Sequence, residues 1–293
     1  MSGSDPGPVV PSAPKIVGVL GGGRMGAGIA HAFLLAGSRV VVVERDEPAA
    51  EAARARIEES VRRSVERGST DRDPGELRTA LTTGVEAAAF APCGLVIEAV
   101  PEDRALKVAA LAGVEEAIAE DAVLATNTSS ISIDDLGADL RRPERFLGLH
   151  FFNPVPASAL VEVVVGAATA PALVDDARAW VAALGKTAVV VRDAPGFASS
   201  RLGVAIALEA IRMLEEGVAS AADIDAAMEL GYRHPVGPLR TTDIVGLDVR
   251  LGIAEELHAA LGDRFAPPQM LRDLVAEGRL GRKSGRGFYE WSE

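Results

Sequence analysis

Ile16-Val17-Gly18-Val19-Leu20-Gly21-Gly22-Gly23-Arg24-Met25-Gly26 runs from a short apolar segment straight into a glycine loop. The apolar part reads as a buried strand, and Ala27 to Leu35 beyond the loop is small and apolar, as a helix packed on a sheet must be. A second apolar run, Val40-Val41-Val42-Val43, ends at Glu44, eighteen residues after Gly26. Strand, loop, helix, strand and terminal acid together make a dinucleotide-binding fingerprint. Gly21 permits the tight turn out of the strand, and Gly26 allows helix and strand to pack closely. Gly23 lets the backbone approach a pyrophosphate at the helix N-terminus, with Arg24 and Met25 completing the cofactor-facing turn. Glu44 is placed to accept hydrogen bonds from an adenosine ribose and would repel a 2′-phosphate, so NAD is expected over NADP. Arg45 beside it tempers that preference without reversing it.

At 293 residues the chain has room for two domains with their own cores, and 48% hydrophobic content marks a packed globular protein. No apolar stretch approaches the length of a membrane span. Residues 1–14 are rich in Gly, Pro and Ser and lack a basic patch ahead of an apolar core, so they read as a disordered leader and not a signal peptide. The only cysteine, Cys93, excludes an internal disulfide and suits a reducing cytoplasm. It sits beside Leu95-Val96-Ile97 and reads as buried filler. No cluster has zinc-ligand spacing. A formal charge of −12 argues against nucleic acid as a partner and requires local cations to hold any anionic substrate.

Beyond Glu44, residues 48–68 carry helical spacing, and 75–80 adds a further turn. Strands are expected at Leu95 to Val100, Val123 to Ala125 and Phe146 to His150. A helix over 103–119 and the polar turn Thr126 to Ser130 lie between them. Alternation of this kind predicts an α/β fold of Rossmann type, a doubly wound and mainly parallel sheet. Such sheets bind ligands at the carboxyl ends of their strands, where Glu44, Glu102, Asn127, Ser129 and His150 all fall. Asp193-Ala194-Pro195-Gly196 interrupts the pattern. The NAD-binding domain is therefore read over 15–194 and an all-helical C-terminal domain over 195–293. Its helices are expected at 198–216, after the capping box Ser220-Ala221-Ala222-Asp223, at 243–261 and at 268–278. The stretch Leu202, Ile206, Leu208, Ala210, Ile211 and Leu214 is apolar around much of its circumference, which predicts burial, in part against a second subunit, and hence a homodimer.

Four histidines can be weighed one by one. His31 lies inside the helix after the glycine loop, His234 precedes a proline in a turn, and His258 stands beside Glu255 and Glu256; each reads as structural or surface. His150 ends a strand and opens Phe151-Phe152-Asn153-Pro154, an apolar loop with one amide. Twelve residues later Glu162 interrupts the apolar run Leu160 to Val165. A carboxylate there either points to solvent from an edge strand, pairs with a structural arginine, or orients His150. Oxidising an alcohol with NAD needs a base for the hydroxyl proton while hydride leaves the same carbon, and imidazole suits that task near neutral pH. Ser129 offers a hydroxyl that either caps its own turn or holds the substrate oxygen.

These segments resemble the 3-hydroxyacyl-CoA dehydrogenase family. Gly21 to Gly26, Glu98-Ala99-Val100-Pro101-Glu102, Thr126-Asn127-Thr128-Ser129-Ser130, Gly148 to Pro154, Val161-Glu162-Val163 and Ala194-Pro195-Gly196-Phe197 stand in the family's order and spacing. Gly237-Pro238, Asp243, Gly246-Leu247-Asp248 and Gly281 to Tyr289 continue the match, so the resemblance covers residues 15 to 291. It implies reversible oxidation of an L-3-hydroxyacyl thioester to the 3-keto form, with a dimerising helical domain. By the same resemblance His150 is the general acid/base, Glu162 its orienting partner and Ser129 a substrate hydrogen-bonder. Glu102 and Lys107, with Asn127, become cofactor contacts. Ser60 and Arg67 become a coenzyme A pair, and Asn153 lies against substrate.

One departure matters. After Pro-Gly-Phe the family places an active-site asparagine just before an arginine, and here Ser200 precedes Arg201. A hydroxyl is shorter than an amide and loses its paired donor and acceptor, so substrate fit near the reacting carbon should differ. Leu239-Arg240-Thr241-Thr242 also replaces a more acidic, apolar stretch. Two other dehydrogenase readings therefore stand beside the CoA thioester: a hydroxyacyl group on an acyl carrier protein, and a free hydroxy or sugar acid. A catalytically silent NAD-binding relative is the reading from a different class, and Ser129, His150 and Glu162 together argue against it.

Overall fold

In the computed structural model, which describes residues 12–291, the run Ile16–Leu20 is strand β1, near the middle of an eight-stranded sheet. The leader read over 1–14 lies outside the described residues as far as residue 11. Its last part does not behave as a leader: Ala13 packs on the core and the Pro14 carbonyl accepts a hydrogen bond from Ser38 Oγ at 2.7 Å.

Helix α1 (Arg24–Leu35) follows the glycine loop and leads to β2 (Arg39–Val43). Asp46 accepts from the Ala49 amide to open α2 (Glu47–Glu66), and Asp73 accepts from Glu76 to open the short α3 (Pro74–Thr79). Then come β3 (Leu81–Gly84), β4 (Leu95–Glu98), and α4 (Arg104–Ala117), capped by Asp103. Strand β5 (Val123–Thr126), helix α5 (Ile133–Gly137), β6 (Phe146–Phe151), β7 (Leu160–Val165), α6 (Pro171–Ala183) and β8 (Thr187–Arg192) complete the unit. The strand order is β3-β2-β1-β4-β5-β6-β7-β8. Every pairing is parallel except β6 with β7.

Every residue of β4, β5 and β6 is buried, as expected of strands covered on both faces. Strand β7 lies between β6 and β8. This overturns the reading of Glu162 as a solvent-facing residue on an edge strand. Elements β3, α5, α6 and β8 were not anticipated. Leu81-Thr82-Thr83-Gly84 has no apolar run, and β3 exists because β2 offers it an edge to pair with.

The chain divides into two compact units, the second beginning at Ala194. It contains α7 (Ser199–Glu215), α8 (Ala221–Tyr232), α9 (Pro238–Val245), α10 (Leu247–Leu261) and α11 (Gln269–Ala276). The single helix expected over 243–261 is in fact two, because Gly246 takes φ +110° between α9 and α10, a value side-chain-bearing residues avoid. Ser220 accepts from the Asp223 amide and caps α8. Val204, Leu208, Ile211, Leu239, Leu247 and Leu257 centre the unit's own core. On α7, Val204, Leu208 and Ile211 are buried, while Leu202 is 63% and Ile206 37% exposed. Asp243, fully buried, accepts from the Phe288 and Tyr289 amides and from Trp291 Nε1, tying the C-terminal segment to α9.

Candidate active site

The glycine loop is held from both sides. Gly22 N donates to Glu44 Oε1 at 2.7 Å, and Arg56 donates to the Gly22 carbonyl at 2.9 Å. Two glycines do different work. A Cβ on Gly26 would lie 1.8 Å from the Gly21 carbonyl oxygen, so residue 26 is glycine for the protein's own packing. A Cβ on Gly23 would meet nothing within 4 Å. Gly23 is the N-cap of α1 and supplies no side-chain cap. The first-turn N–H groups of α1 therefore suit an anion, as a dinucleotide pyrophosphate requires. Arg24 is exposed there and Met25 half-buried. Glu44 Oε2 also accepts from the Arg45 amide at 3.2 Å, which orients the carboxylate at the end of β2.

At the ends of β4 and β5 sits a buried ionic network. Glu98 is 0% and Lys107 1% exposed. Glu98 accepts from Lys107 Nζ and the Val100 amide, both at 2.7 Å, and from Thr126 Oγ1 at 2.6 Å. Lys107 Nζ also reaches the Val100 carbonyl and Glu102 Oε2, each at 3.2 Å. Three oxygens thus take up its three protons, and the ammonium is enclosed. Lys107, read from sequence as a cofactor contact, is satisfied within the protein by Glu98, the Val100 carbonyl and Glu102. Glu102 Oε1 accepts from Thr128 Oγ1 at 2.6 Å, from the Ser129 amide at 2.8 Å and from the Ser130 amide at 3.2 Å. Ser129 Oγ lies 3.3 Å from the same oxygen. Partial burial by itself would raise the Glu102 carboxyl, but the Lys107 charge and the Thr128 and Ser129 hydrogen bonds hold it below the ordinary carboxylate range. Glu98 had been noted only as part of a motif. The signal that it matters was a carboxylate closing the apolar run Leu95-Val96-Ile97, a position that demands a partner.

The antiparallel pairing of β6 with β7 sets His150 directly opposite Glu162. His150 Nδ1 lies 2.8 Å from Glu162 Oε2, with the carboxylate 0% and the histidine 6% exposed. The Phe152 ring stands 4.4 Å from the imidazole, centroid to centroid, and tilted by 45°. Asn127 Oδ1 accepts from the Phe151 amide at 2.8 Å, joining the turn after β5 to the end of β6. A carboxylate that accepts Nδ1–H fixes the tautomer in which Nε2 exchanges protons, an arrangement fit for general acid–base work.

The remaining sequence-read positions are spread more widely. Ser60 is half-buried on α2, and Arg67 is exposed at its C-cap, seven residues on. Asn153 is exposed and precedes the cis-proline Pro154. Ser200 lies in the first turn of α7 in the second unit and is half-buried. Among the described residues no group of His, Cys, Asp and Glu has metal-site geometry, and no helix is long and apolar enough to cross a membrane.

Comparison with known proteins gives a consistent result. Residues 16–194 match the sequence model of the 3-hydroxyacyl-CoA dehydrogenase NAD-binding domain, and 196–291 match the C-terminal domain of the same family. A probable 3-hydroxybutyryl-CoA dehydrogenase of Bacillus subtilis is 41% identical over 283 residues, 95% of this chain and 98% of the relative. A 3-hydroxybutyryl-CoA dehydrogenase of Mycobacterium tuberculosis is 42% identical over 279 residues, 94% of this chain and 98% of the relative. Among solved structures, (S)-3-hydroxybutyryl-CoA dehydrogenase PaaH1 from Ralstonia eutropha is similar at TM-score 0.91 and 37% identity, covering 96% of this chain and all of the other.

Proposed function

Given that the chain belongs to the 3-hydroxyacyl-CoA dehydrogenase family and is an NAD-dependent oxidoreductase, we propose that it oxidises an L-3-hydroxyacyl-CoA to the 3-ketoacyl-CoA with His150 as general acid/base. The observation that supports this most strongly is the buried His150–Glu162 pair. NAD, when bound, accepts the hydride from the substrate's C3. Gly23, the α1 N-terminus and Glu44 hold the cofactor. In the forward direction His150 Nε2 takes the 3-hydroxyl proton, and Glu162 stabilises the imidazolium so formed. The Lys107–Glu102 pair holds the turn that carries Ser129, whose hydroxyl steadies the substrate oxygen. Ser60 and Arg67 are assigned to coenzyme A, Asn127 to the cofactor side of the site, Asn153 and Ser200 to substrate. The exposed apolar residues Leu202 and Ile206 of α7 support a homodimer.

The test is NADH consumption with acetoacetyl-CoA, beside the same acyl group on an acyl carrier protein. Turnover of the CoA thioester supports the reading, and activity restricted to the carrier-bound substrate would replace it. His150→Gln should abolish turnover and leave NAD affinity intact; near-normal turnover would remove the histidine from its role.

A further inference from the structure

Lys186 lies between α6 and β8 with its backbone fixed on both sides. Its amide donates to the Val181 carbonyl at 3.1 Å, after Gly185 has turned the chain at φ +69°. The Thr187 amide next to it donates to the Ala159 carbonyl at 2.7 Å. From this position the side chain reaches the connection between β6 and β7, where Nζ donates to the Val155 carbonyl at 2.7 Å and to the Ser158 carbonyl. Two carbonyls that converge on one point need a donor with several protons, which an ammonium has and a hydroxyl lacks. Burial lowers the pKa of this ammonium, and two charge-assisted hydrogen bonds work against that cost.

The same connection is held at two further places. Val155, 2% exposed, sits in a notch of α1, where a Cβ on Gly28 would lie 2.8 Å from the Val155 Cβ. At the β6 end the Asn127 side chain fixes the Phe151 amide. Phe152, Asn153 and Pro154 therefore span the gap between two anchored points. Phe152 sets its ring against the His150 imidazole, and Asn153 is the position assigned above to substrate. On so short a span the anchors decide where both side chains stand, and a misplacement of about 1 Å in an active site can cost about 100-fold in rate. We propose that Lys186 is a positioning residue of the active site: its ammonium holds the Val155 and Ser158 carbonyls so that Asn153 meets the substrate in register with His150. This rests on the proposed activity and on the assignment of Asn153 to substrate.

The experiment follows L-3-hydroxybutyryl-CoA oxidation, by NADH absorbance, in the wild type, Lys186→Met, Asn153→Ala and the double variant. In Lys186→Met, kcat should fall about 10- to 100-fold, while calorimetric NAD affinity keeps its wild-type value. In the Asn153→Ala background the same change should cost less than about threefold, because the group that Lys186 places is gone. Lys186→Arg keeps the charge and several donors and should recover part of the loss. Gly28→Ala pushes Val155 from the opposite side and should lower kcat in the same Asn153-dependent way, which keeps the test readable if Lys186→Met does not fold. Amide hydrogen exchange supplies a readout without turnover: in Lys186→Met it should rise over residues 152–159 and hold elsewhere in the sheet. A folded Lys186→Met with kcat within about twofold of the wild type would overturn the proposal. So would full multiplication of the two losses in the double variant, since the lysine would then not act through Asn153. Wild-type kcat in Asn153→Ala, or unchanged exchange over 152–159, would overturn it as well. If the wild type oxidises no 3-hydroxyacyl-CoA, the proposed activity fails, and the exchange measurement still decides whether Lys186 holds the loop.

Discussion

Replacing Glu162 by glutamine keeps the side chain's shape and removes its charge. In the structure Glu162 Oε2 lies 2.8 Å from His150 Nδ1 and the carboxylate is fully buried. With the two centres of charge about 4 Å apart and an effective dielectric of about 20, the imidazolium that the proposed general-base role of His150 requires is stabilised by about 4 kcal/mol. Losing that stabilisation corresponds to about three decades in rate. The amide oxygen can still accept from Nδ1, so the ring stays oriented and the loss falls on the charged state. In Glu162→Gln, kcat for L-3-hydroxybutyryl-CoA oxidation, followed by NADH absorbance, should drop about 10³-fold. KM should change by less than about threefold, because the group binds ground state and transition state differently only once the proton has moved. Calorimetric titration of NAD into the same variant should give wild-type affinity. A loss of kcat below about tenfold with the fold intact would refute the argument. The pair would then be a hydrogen bond that registers β6 against β7 and nothing more.

Lys107→Met strands the Glu98 carboxylate in a site with no exposure, which should destabilise the protein by about 3–5 kcal/mol. Calorimetry should show a lower melting temperature that the further change Glu98→Gln largely restores; a single variant as stable as wild type would contradict this. Gly23→Ala should fold normally yet bind NAD at least about tenfold more weakly, because only a ligand can meet the new methyl. Gly26→Ala should instead disturb the fold, since its methyl collides with the Gly21 carbonyl. Circular dichroism and NAD titration on the two variants separate these outcomes. His31 is held below its ordinary 6.5 by burial and by the Lys186 charge, against the pull of the Ser60 carbonyl. Below about pH 6.5 the unfolded chain takes up a proton that the folded chain resists, so stability present above that pH is lost as pH falls, by at most about 1.4 kcal/mol per unit. Urea midpoints measured from pH 7.5 to 5 should fall less steeply in His31→Gln, and parallel slopes would count against the assignment.

Legibility differed from element to element. Strands β1, β2, β4, β5 and β6 were readable because each is a nearly unbroken apolar run, the mark of a strand covered on both faces. Strand β3, with two threonines and a glycine, carries no such mark and depends on its neighbour. The break between α9 and α10 was visible as Gly246 and yet read through, because the apolar spacing continues across it. The sequence of α7 is apolar around much of its circumference, and the single chain covers only part of it. Hydrophobicity says that a face prefers to be covered, and packing decides which faces are.

The sequence by itself determined the nucleotide-binding half and the residue types of the chemistry. The glycine loop, its flanking strands and Glu44 lie within about thirty residues, and their constraints are local: a tight turn, a close helix–strand approach, an acid at a strand end. The tertiary structure alone decided how distant groups meet. The β6–β7 register turns a twelve-residue separation into a 2.8 Å contact between His150 and Glu162. Burial turns Glu98, Lys107 and Glu102 into one network. The energy of a charge depends on what surrounds it in space, and for Glu98 those surroundings include Thr126, 28 positions away in the chain.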